Sequence, residues 1–338
     1  MFTYQGMGSD ASRGVTSVIG VLLLVAVVVV VGSIVALGAF TFLDATGAPQ
    51  ATADFSYEQT PAGLRMTPEV IGTEVTVQLN GRDVATFDPD QAGQSVLLPT
   101  APGDRITVVS RDEQRSVLVQ EEIDERSEIG DFIAYYTFDG EDGDHTLEDQ
   151  SGNGNDGTLT GDDDGWTGSA FDFDGNDYFT VNGMSAETSV DAFTVAIAYR
   201  QDGAGIDTVS QLAEHTFSSG GTEYEWFIEN RYDSGSGTYR TEYTVEYPDG
   251  VAETGSNYNL GERHVVVGTY DGSTYSLYVD GTRMESISHS SPVGVGDMRI
   301  GRDFESNIQY FDGRIYEIRL YYTAFDDSEV EVISAAMS

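Results

Sequence analysis

The chain has 338 residues, no cysteine, and a formal net charge of −41 from 57 acidic and 16 basic residues. Without cysteine it cannot form a disulfide, a thiolate metal site or a cysteine nucleophile. The strong negative charge repels nucleic acid and anionic lipid headgroups, which argues against a role in binding DNA or RNA.

Two explanations of this acidity are open. High net charge opposes compaction and is typical of disordered chains. Alternatively, the surface is adapted to molar salt, where a Debye length of about 3 Å screens self-repulsion. Aromatic residues make up 11% of the chain, and every one of the 16 basic residues is arginine. This composition favours the folded alternative and resembles that of haloarchaeal proteins.

The first predicted element is an uncharged run over residues 15–43. As a helix it would extend for about 43 Å, more than the roughly 30 Å hydrocarbon core of a bilayer. A cleaved secretory signal has an apolar core of only about 7–15 residues, so cleavage after this run is not expected. The run therefore predicts a transmembrane helix.

The residues before this run suggest a more specific role. Arg13-Gly14 precede Val15, and Val-Thr-Ser-Val-Ile-Gly opens the run. This boundary resembles the N-terminus of archaeal, especially haloarchaeal, type IV pilins, although Thr16 and Val18 stand where serine and proline are common. The resemblance implies that a prepilin peptidase cleaves between Gly14 and Val15, with Arg13, Gly14 and Val15 as the processing residues. It divides the segment into a leader (1–14), a transmembrane or pilin core helix (15–43) and a linker (44–50).

Residues 51–125 change to an alternating pattern of apolar and polar side chains. About six short strands are predicted here, and Asn80-Gly81 marks a hairpin between two of them. These strands indicate a small β-sandwich. In size and position it resembles the β domain that follows the helix in archaeal pilins.

From Phe132 onward, aromatic-rich strands alternate with turns of Gly, Asn and Asp. Residues 193–199 form the strongest core strand, and Asp271-Gly272 and Asp280-Gly281 are hairpin signals. Many evenly spaced strands without a long helix indicate a sandwich or jelly roll. A short helix beginning at Asp326 or Ser328 is predicted to close the chain.

Four ordered segments resemble the laminin G-like, concanavalin A-like lectin/glucanase family: residues 136–139, 149–157 followed by 173–178, 264–271 followed by 277–281, and 311–321 followed by 326–330. The resemblance covers residues 131–338 and implies a jelly-roll β-sandwich. The fold class is therefore mainly β, with a long N-terminal apolar α-helix, a small β-sandwich and then a concanavalin A-like domain.

Members of this family often hold a structural calcium ion, which implies Ca²⁺ as a cofactor near residues 149–156. Asp149, Asn153 and Asp177 are the candidate ligands, with Asp174 as a weaker one, because calcium prefers six to eight oxygen ligands. The alternative is that these residues only support tight turns. Tyr316 stands where relatives often have an acidic residue, and it cannot supply a carboxylate.

Carbohydrate binding requires an aromatic platform with polar groups beside it. Tyr224, Trp226 and Tyr232 are the candidate ligand-binding residues; the alternative is that they occupy alternating core positions. The sequence has no nucleophile elbow and no P-loop, and no catalytic residue or enzymatic activity is predicted. A glycan hydrolase on the same sandwich remains a further alternative, which would need two carboxylates in one cleft.

These observations predict an archaeal type IV pilin-like protein of the cell membrane and cell surface, with extracellular C-terminal domains. The lectin-like domain is expected to act in adhesion by binding a glycan or protein ligand. The expected partners are the membrane, the prepilin peptidase and other pilin subunits, with no nucleic acid. A membrane-anchored lectin that never polymerises is the alternative.

Overall fold

A computed structural model describes most of the chain beyond residue 51. The described residues are 52–111, 115–123, 130–141, 143–184, 188–203, 209–219, 222–233, 235, 238–247, 250–289, 294–304 and 309–338. Among them, no helix is long and apolar enough to cross a membrane. The predicted helix over residues 15–43 and the processing residues lie outside the described residues.

Two small antiparallel sheets occupy the first part of the described chain, with strand orders β1–β2–β5 and β4–β3–β6–β7. Their strands are β1 (Ala53–Thr60), β2 (Gly63–Ile71), β3 (Val75–Leu79), β4 (Arg82–Phe87), β5 (Val96–Leu98), β6 (Arg105–Ser110) and β7 (Val117–Glu122), with a 3-10 turn at Pro89–Gln91. The β3–β4 hairpin turns at Asn80 and Gly81, both with positive φ (54° and 80°), as the Asn-Gly pair predicts.

The described part of residues 51–125 has seven strands, where about six were predicted, and β2 contains Pro68, although proline normally argues against an inner strand. The structure accommodates Pro68 beside an irregularity in the β1–β2 pairing. On its other side, β5 pairs only with Leu64, Arg65 and Met66, so no neighbouring strand requires an N–H from residue 68.

The larger part of the described chain is an antiparallel sandwich. Its strands are β8 (Phe132–Thr137), β9 (Thr146–Leu147), β10 (Gly157–Thr160), β11 (Phe171–Asp174), β12 (Tyr178–Val181), β13 (Thr188–Ser189), β14 (Phe193–Gln201), β15 (Val209–Ser219), β16 (Thr222–Asp233), β17 (Thr238–Tyr247), β18 (Gly250–Tyr258), β19 (Arg263–Tyr270), β20 (Thr274–Val279), β21 (Thr282–Ser288), β22 (Gly294–Val295), β23 (Asp297–Ile300) and β24 (Asp312–Tyr321). The chain then forms helix α1 (Asp327–Met337), which begins at the N-cap Asp326, one of the two predicted starts, with a capping box to Glu329.

One large sheet has the order β18–β17–β16–β15–β23–β12–β10–β9, and the other has the order β11–β24–β14–β19–β20–β21, with β8 also paired to β24. Their inner faces form one aromatic-rich core. Phe171, Phe173 and Phe179 meet edge to face there, with ring centroids 4.9–6.0 Å apart. The mainly β, sandwich-type fold expected from the sequence is confirmed.

The outer face of the seven-stranded sheet is also covered. Ala196 and Val267 on that face share a second core with Val77 of the small sheets and Ile333 of helix α1. Residues 51–338 accordingly form one compact unit. The boundaries proposed from sequence, at 125 and 131, remain predictions.

A buried charge also joins the small sheets to the sandwich. Arg319 of β24 is 1% exposed and donates to the Pro99 carbonyl oxygen at 2.8 Å and to both carboxylate oxygens of Asp104 at 3.2 and 3.3 Å. Its Nε donates to Glu317 at 2.5 Å. With these partners the guanidinium is not left as an uncompensated buried charge.

Candidate functional site

A groove of about 530 Å³ opens at one end of the sandwich. The ends of β18 and β20 and the beginnings of β17, β19 and β21 meet there, because antiparallel neighbours place these termini at the same end. The described lining residues are Thr238, Tyr239, Asn257, Asn259, Leu260, His264, Val279, Asp280, Thr282 and Met284.

A histidine–carboxylate pair forms one side of the groove. His264 Nδ1 lies 2.8 Å from Asp280 Oδ2, and the Val265 N–H donates to Asp280 Oδ1 at 2.9 Å. Asp280 and Gly281 form the β20–β21 turn with positive φ angles of 49° and 78°, and aspartate and glycine tolerate this conformation. The turn therefore holds the carboxylate against the first residues of β19.

The pair favours its charged form. The hydrogen bond to Asp280 raises the pKa of His264, and burial of the ring offsets this only in part. Burial alone would raise the pKa of Asp280, but the hydrogen bonds from His264 and Val265 outweigh it and lower that pKa. When both are ionised, the two groups neutralise each other within the groove.

Tyr239 forms an aromatic wall of the groove, and a second tyrosine supports it. The Tyr239 ring centroid lies 4.8 Å from that of its cross-strand partner Tyr232. Both side chains are half-buried. Tyr232, one of the ligand-binding candidates from the sequence, therefore lies directly behind the wall.

Below this wall, the sandwich interior is polar. Thr241 Oγ1 lies 2.9 Å from the Tyr199 hydroxyl and donates to Asn230 Oδ1 at 2.8 Å. Asn230 Nδ2 donates to Gln201 Oε1 at 2.7 Å, and Gln201 Nε2 donates to Ser210 at 3.0 Å. These bonds join β14, β15, β16 and β17 and fix the strand ends that support the groove.

The other two aromatic candidates differ from Tyr232. Trp226 is 0% exposed and stacks between Phe193 and His215, with centroid distances of 5.1 and 4.5 Å. It occupies the core position that the sequence left as the alternative, because its side chain lies within the sandwich core, and it has no free face for a sugar. Tyr224 pairs with Phe217 across the β15–β16 hairpin, but its side chain lies outside the described residues.

The calcium candidates fall into two separate places. Asp149 accepts four hydrogen bonds: from the Tyr135 and Ser151 N–H groups on Oδ1, and from the Ser151 hydroxyl and Asn155 N–H on Oδ2. Asn153 Nδ2 donates to the Phe132 carbonyl at 2.7 Å. A carboxylate has about four lone-pair sites, and all are used here, so this donor set fits a self-supporting turn and does not fit a metal.

Asp177 and Asp174 lie at the opposite end of β10. The Gly157–Val181 pair is at the Asp149 end and the Thr160–Tyr178 pair at the Asp177 end, about 10 Å away at strand spacing. Asp177 accepts from the Asp162 N–H at 2.8 Å, and burial raises its pKa to about 6. Among the described residues, no group of three His, Cys, Asp or Glu side chains is placed to hold a metal. A calcium ion remains a prediction from the resemblance.

A second groove, of about 540 Å³, lies beside these loops and differs in character. Four of its lining residues are acidic: Asp139, Glu141, Asp144 and Glu148. Its Trp166 donates through Nε1 to the Asp144 carbonyl at 2.9 Å and is 7% exposed. The second groove therefore offers no free aromatic face, and a smaller share of its described lining residues are neutral and polar than in the first groove.

Comparison with known families places two matches on the chain. The model of the archaeal type IV pilin N-terminus matches residues 13–53, and that of the concanavalin A-like lectin/glucanases superfamily matches residues 173–331. The chain is a fusion of an archaeal type IV pilin N-terminus with a concanavalin A-like domain. In this fusion, strands β8 to β10 precede the second match, yet they pair into the same two sheets.

No curated protein matches the chain in sequence. Among solved structures, domain 4 of AbnA, a GH43 extracellular arabinanase from Geobacillus stearothermophilus in complex with arabinotriose, matches with a TM-score of 0.47 and 18% identity. The match covers 60% of this chain and 98% of that one. The receptor-binding domain of botulinum neurotoxin D matches with a TM-score of 0.47 and 12% identity, over 60% of this chain and 52% of that one. The chain thus spans about half of the toxin domain.

Sequence reasoning missed most of the groove. His264 and Asp280 are 16 residues apart, and only the β19–β20 hairpin register brings them together. The Asp280-Gly281 turn signal was visible, but a turn alone does not indicate a site. Asn257 lies within the edge strand β18 and Asn259 follows it, and the pairing of this strand with β17 could not be read from the sequence.

Proposed function

We propose that this chain is a pilin-like protein of the archaeal cell surface that displays a glycan-binding sandwich. The observation that supports this most directly is the order of the two matches, with a pilin N-terminus at residues 13–53 ahead of a concanavalin A-like domain at 173–331. The first provides membrane insertion and export, and the second provides a binding domain.

In this proposal, a prepilin peptidase cleaves between Gly14 and Val15. The helix over residues 15–43 then anchors the protein or packs with other pilin subunits, since its small residues allow close helix approach. Adhesion follows when the displayed domain binds a surface glycan. The end groove supports this role because it combines an aromatic wall with amide and hydroxyl groups.

A non-enzymatic role fits the groove better than glycan hydrolysis. Asp280 is the one carboxylate among the described lining residues, and it is held by His264 and Val265. Hydrolysis by protein side chains normally requires two carboxyl groups about 5–9.5 Å apart across the scissile bond.

The test of processing is N-terminal sequencing of the mature protein from cells, together with detection of the chain in sheared filaments. A start at Val15 with the chain in the filament fraction supports the pilin role. A start at Val15 with the chain only in membranes favours the non-polymerising lectin. An intact Met1, or a start near Ala51, contradicts prepilin processing.

A further inference from the structure

The end groove is locally neutral in a strongly acidic chain. Of its described lining residues, only His264 and Asp280 are ionisable in the ordinary pH range apart from the phenol of Tyr239, and they form a pair. No arginine is among the described lining residues, whereas the chain as a whole has a net charge of −41. Among the described lining residues, a carboxylate or sulfate entering the groove would find only the imidazolium of His264, which Asp280 already neutralises, and repulsion from the acidic surface around it.

A cationic ligand is disfavoured for a different reason. Each oxygen of the Asp280 carboxylate accepts one hydrogen bond, from Val265 and from the His264 ring. Because the imidazolium balances the charge of this carboxylate, an ammonium group would gain little from the lone pairs that remain. Among the described lining residues, the groove therefore has no net charge when the pair is ionised, and the neighbouring Glu262 carboxylate is bonded to Asn259 Nδ2 at 3.0 Å.

The remaining polar side chains can each donate and accept hydrogen bonds. Asn257 and Asn259 contribute amides, and Thr238 and Thr282 contribute hydroxyls. The Asn259 amide already donates to Glu262 Oε2 at 3.0 Å, which orients its carbonyl oxygen and its second N–H. Sugar hydroxyls also act as donors and acceptors, so neighbouring hydroxyls on one ring match such groups well. Both asparagines are exposed at the end of β18, where a ligand can reach them.

An apolar surface completes the set. The Tyr239 ring is supported from behind by Tyr232, and Met284, which is 40% exposed, lies on the same groove. A pyranose presents one face of C–H groups, which packs on an aromatic ring while its hydroxyls bind at the edges. The cavity of about 530 Å³ is within the 300–1,000 Å³ range of small-ligand sites.

We propose that the groove binds uncharged sugar residues, with Tyr239 as the platform and Asn257 and Asn259 as hydroxyl-binding groups. This specifies the ligand class of the glycan-binding function proposed above and rests on that function. The groove selects against uronic acids, sulfated sugars and free amino sugars.

The experiment uses the full chain in micelles of a zwitterionic detergent, because detergents with sugar headgroups would compete for the groove. It is applied to an array of neutral, uronic, sulfated and amino glycans, and affinities for the best ligands are measured by titration. Neutral glycans are expected to give the tightest binding, and acidic ones the weakest.

Four variants locate the site. Asn257→Asp changes few atoms but adds a charge and removes an amide donor, and it is expected to weaken neutral-glycan binding about tenfold or more. Tyr239→Ala removes the platform and is expected to do the same, whereas Tyr239→Phe keeps the ring and binding. Thr146→Ala, in the acidic second groove, is the matched control and is expected to change nothing.

The outcomes separate this inference from the proposed function. If no glycan of any class binds the wild-type chain, the proposed function fails and the inference with it. If glycans bind but acidic or amino glycans bind most tightly, only the inference fails. It also fails if neutral glycans bind the Asn257→Asp and Tyr239→Ala variants, both folded by their melting temperatures, as tightly as the wild type.

Discussion

Glu214 provides a quantitative test of the sandwich because it is a carboxylic acid buried on the outer face of β15. It is 1% exposed, and its Oε2 accepts a hydrogen bond from the Phe304 N–H at 2.7 Å. Burial, assisted by the charge of Asp303, raises its pKa from 4.5 to about 8. Arg299 and the Phe304 hydrogen bond oppose this rise without cancelling it.

The sign of the effect follows from linkage. Between pH 4.5 and 8 the folded chain holds a proton on Glu214 that the unfolded chain has released. Rising pH therefore removes stability over this window. The complete shift corresponds to about 5 kcal/mol, and the part between pH 6 and 8 to about 2 kcal/mol.

The assay compares the wild type with Glu214→Gln, which is uncharged at every pH. Both tryptophans, Trp166 and Trp226, lie in the sandwich, so their fluorescence during denaturant unfolding reports on it. Relative to the wild type, the variant should gain about 2 kcal/mol between pH 6 and 8. The exposed Glu69→Gln serves as the control, with a constant difference expected.

A gap between Glu214→Gln and wild type that stays constant from pH 6 to 8 would refute the reasoning. It would mean that Glu214 is ionised in the folded chain at pH 6. Changes common to both proteins cancel in the comparison, so the other acidic residues do not affect this result.

Three further outcomes follow from buried groups. Arg319→Met should lower the free energy of unfolding by about 3–5 kcal/mol, because Asp104 then lacks its counter-charge. Adding Asp104→Leu to this variant should recover much of the loss, as measured by denaturant unfolding. Equal stability of Arg319→Met and the wild type would count against the ion pair. Asp149→Ala should lower the melting temperature while EDTA leaves the wild type unchanged, and a calcium-dependent rise would instead support a metal there. Trp226→Ala should cost about 3–5 kcal/mol of stability and leave glycan affinity of the folded protein intact, whereas a large loss of affinity would place Trp226 in the site.

Features that depend on a few adjacent residues, such as tight turns and helix starts, were predicted correctly from the sequence. Asn80-Gly81 and Asp280-Gly281 predicted two-residue turns because both positions require positive φ, and the structure has them. A capping residue at Asp326 or Ser328 predicted the start of helix α1, and the structure uses Asp326, whose side chain accepts from the Ser328 and Glu329 N–H groups. Because these features depend only on residues adjacent in sequence, they can be predicted without knowing the tertiary structure.

Features that depend on register were not predictable. The alternation of aromatic residues around Trp226 did not say which side chains face inward, so Trp226 could be assigned either to the core or to a sugar platform. A one-residue shift in register exchanges the two faces. The tolerance of Pro68 in β2 is likewise a tertiary property, since it depends on the irregular pairing with β1 beside it and on the end of the β5 pairing at Met66.

The covered outer face of the seven-stranded sheet affects what a displayed binding domain can do. Alternating residues of β14 serve two cores, with Val195 and Ile197 facing the sandwich interior and Ala196 and Ala198 facing the small sheets and helix α1. Small side chains there let the second layer approach closely, and the buried Arg319–Asp104 pair fixes its register. Separating the layers would expose both this apolar face and an uncompensated charge. The small sheets and the sandwich should therefore unfold together, and in the proposed adhesive role a force on a bound ligand would be resisted by the whole of residues 51–338.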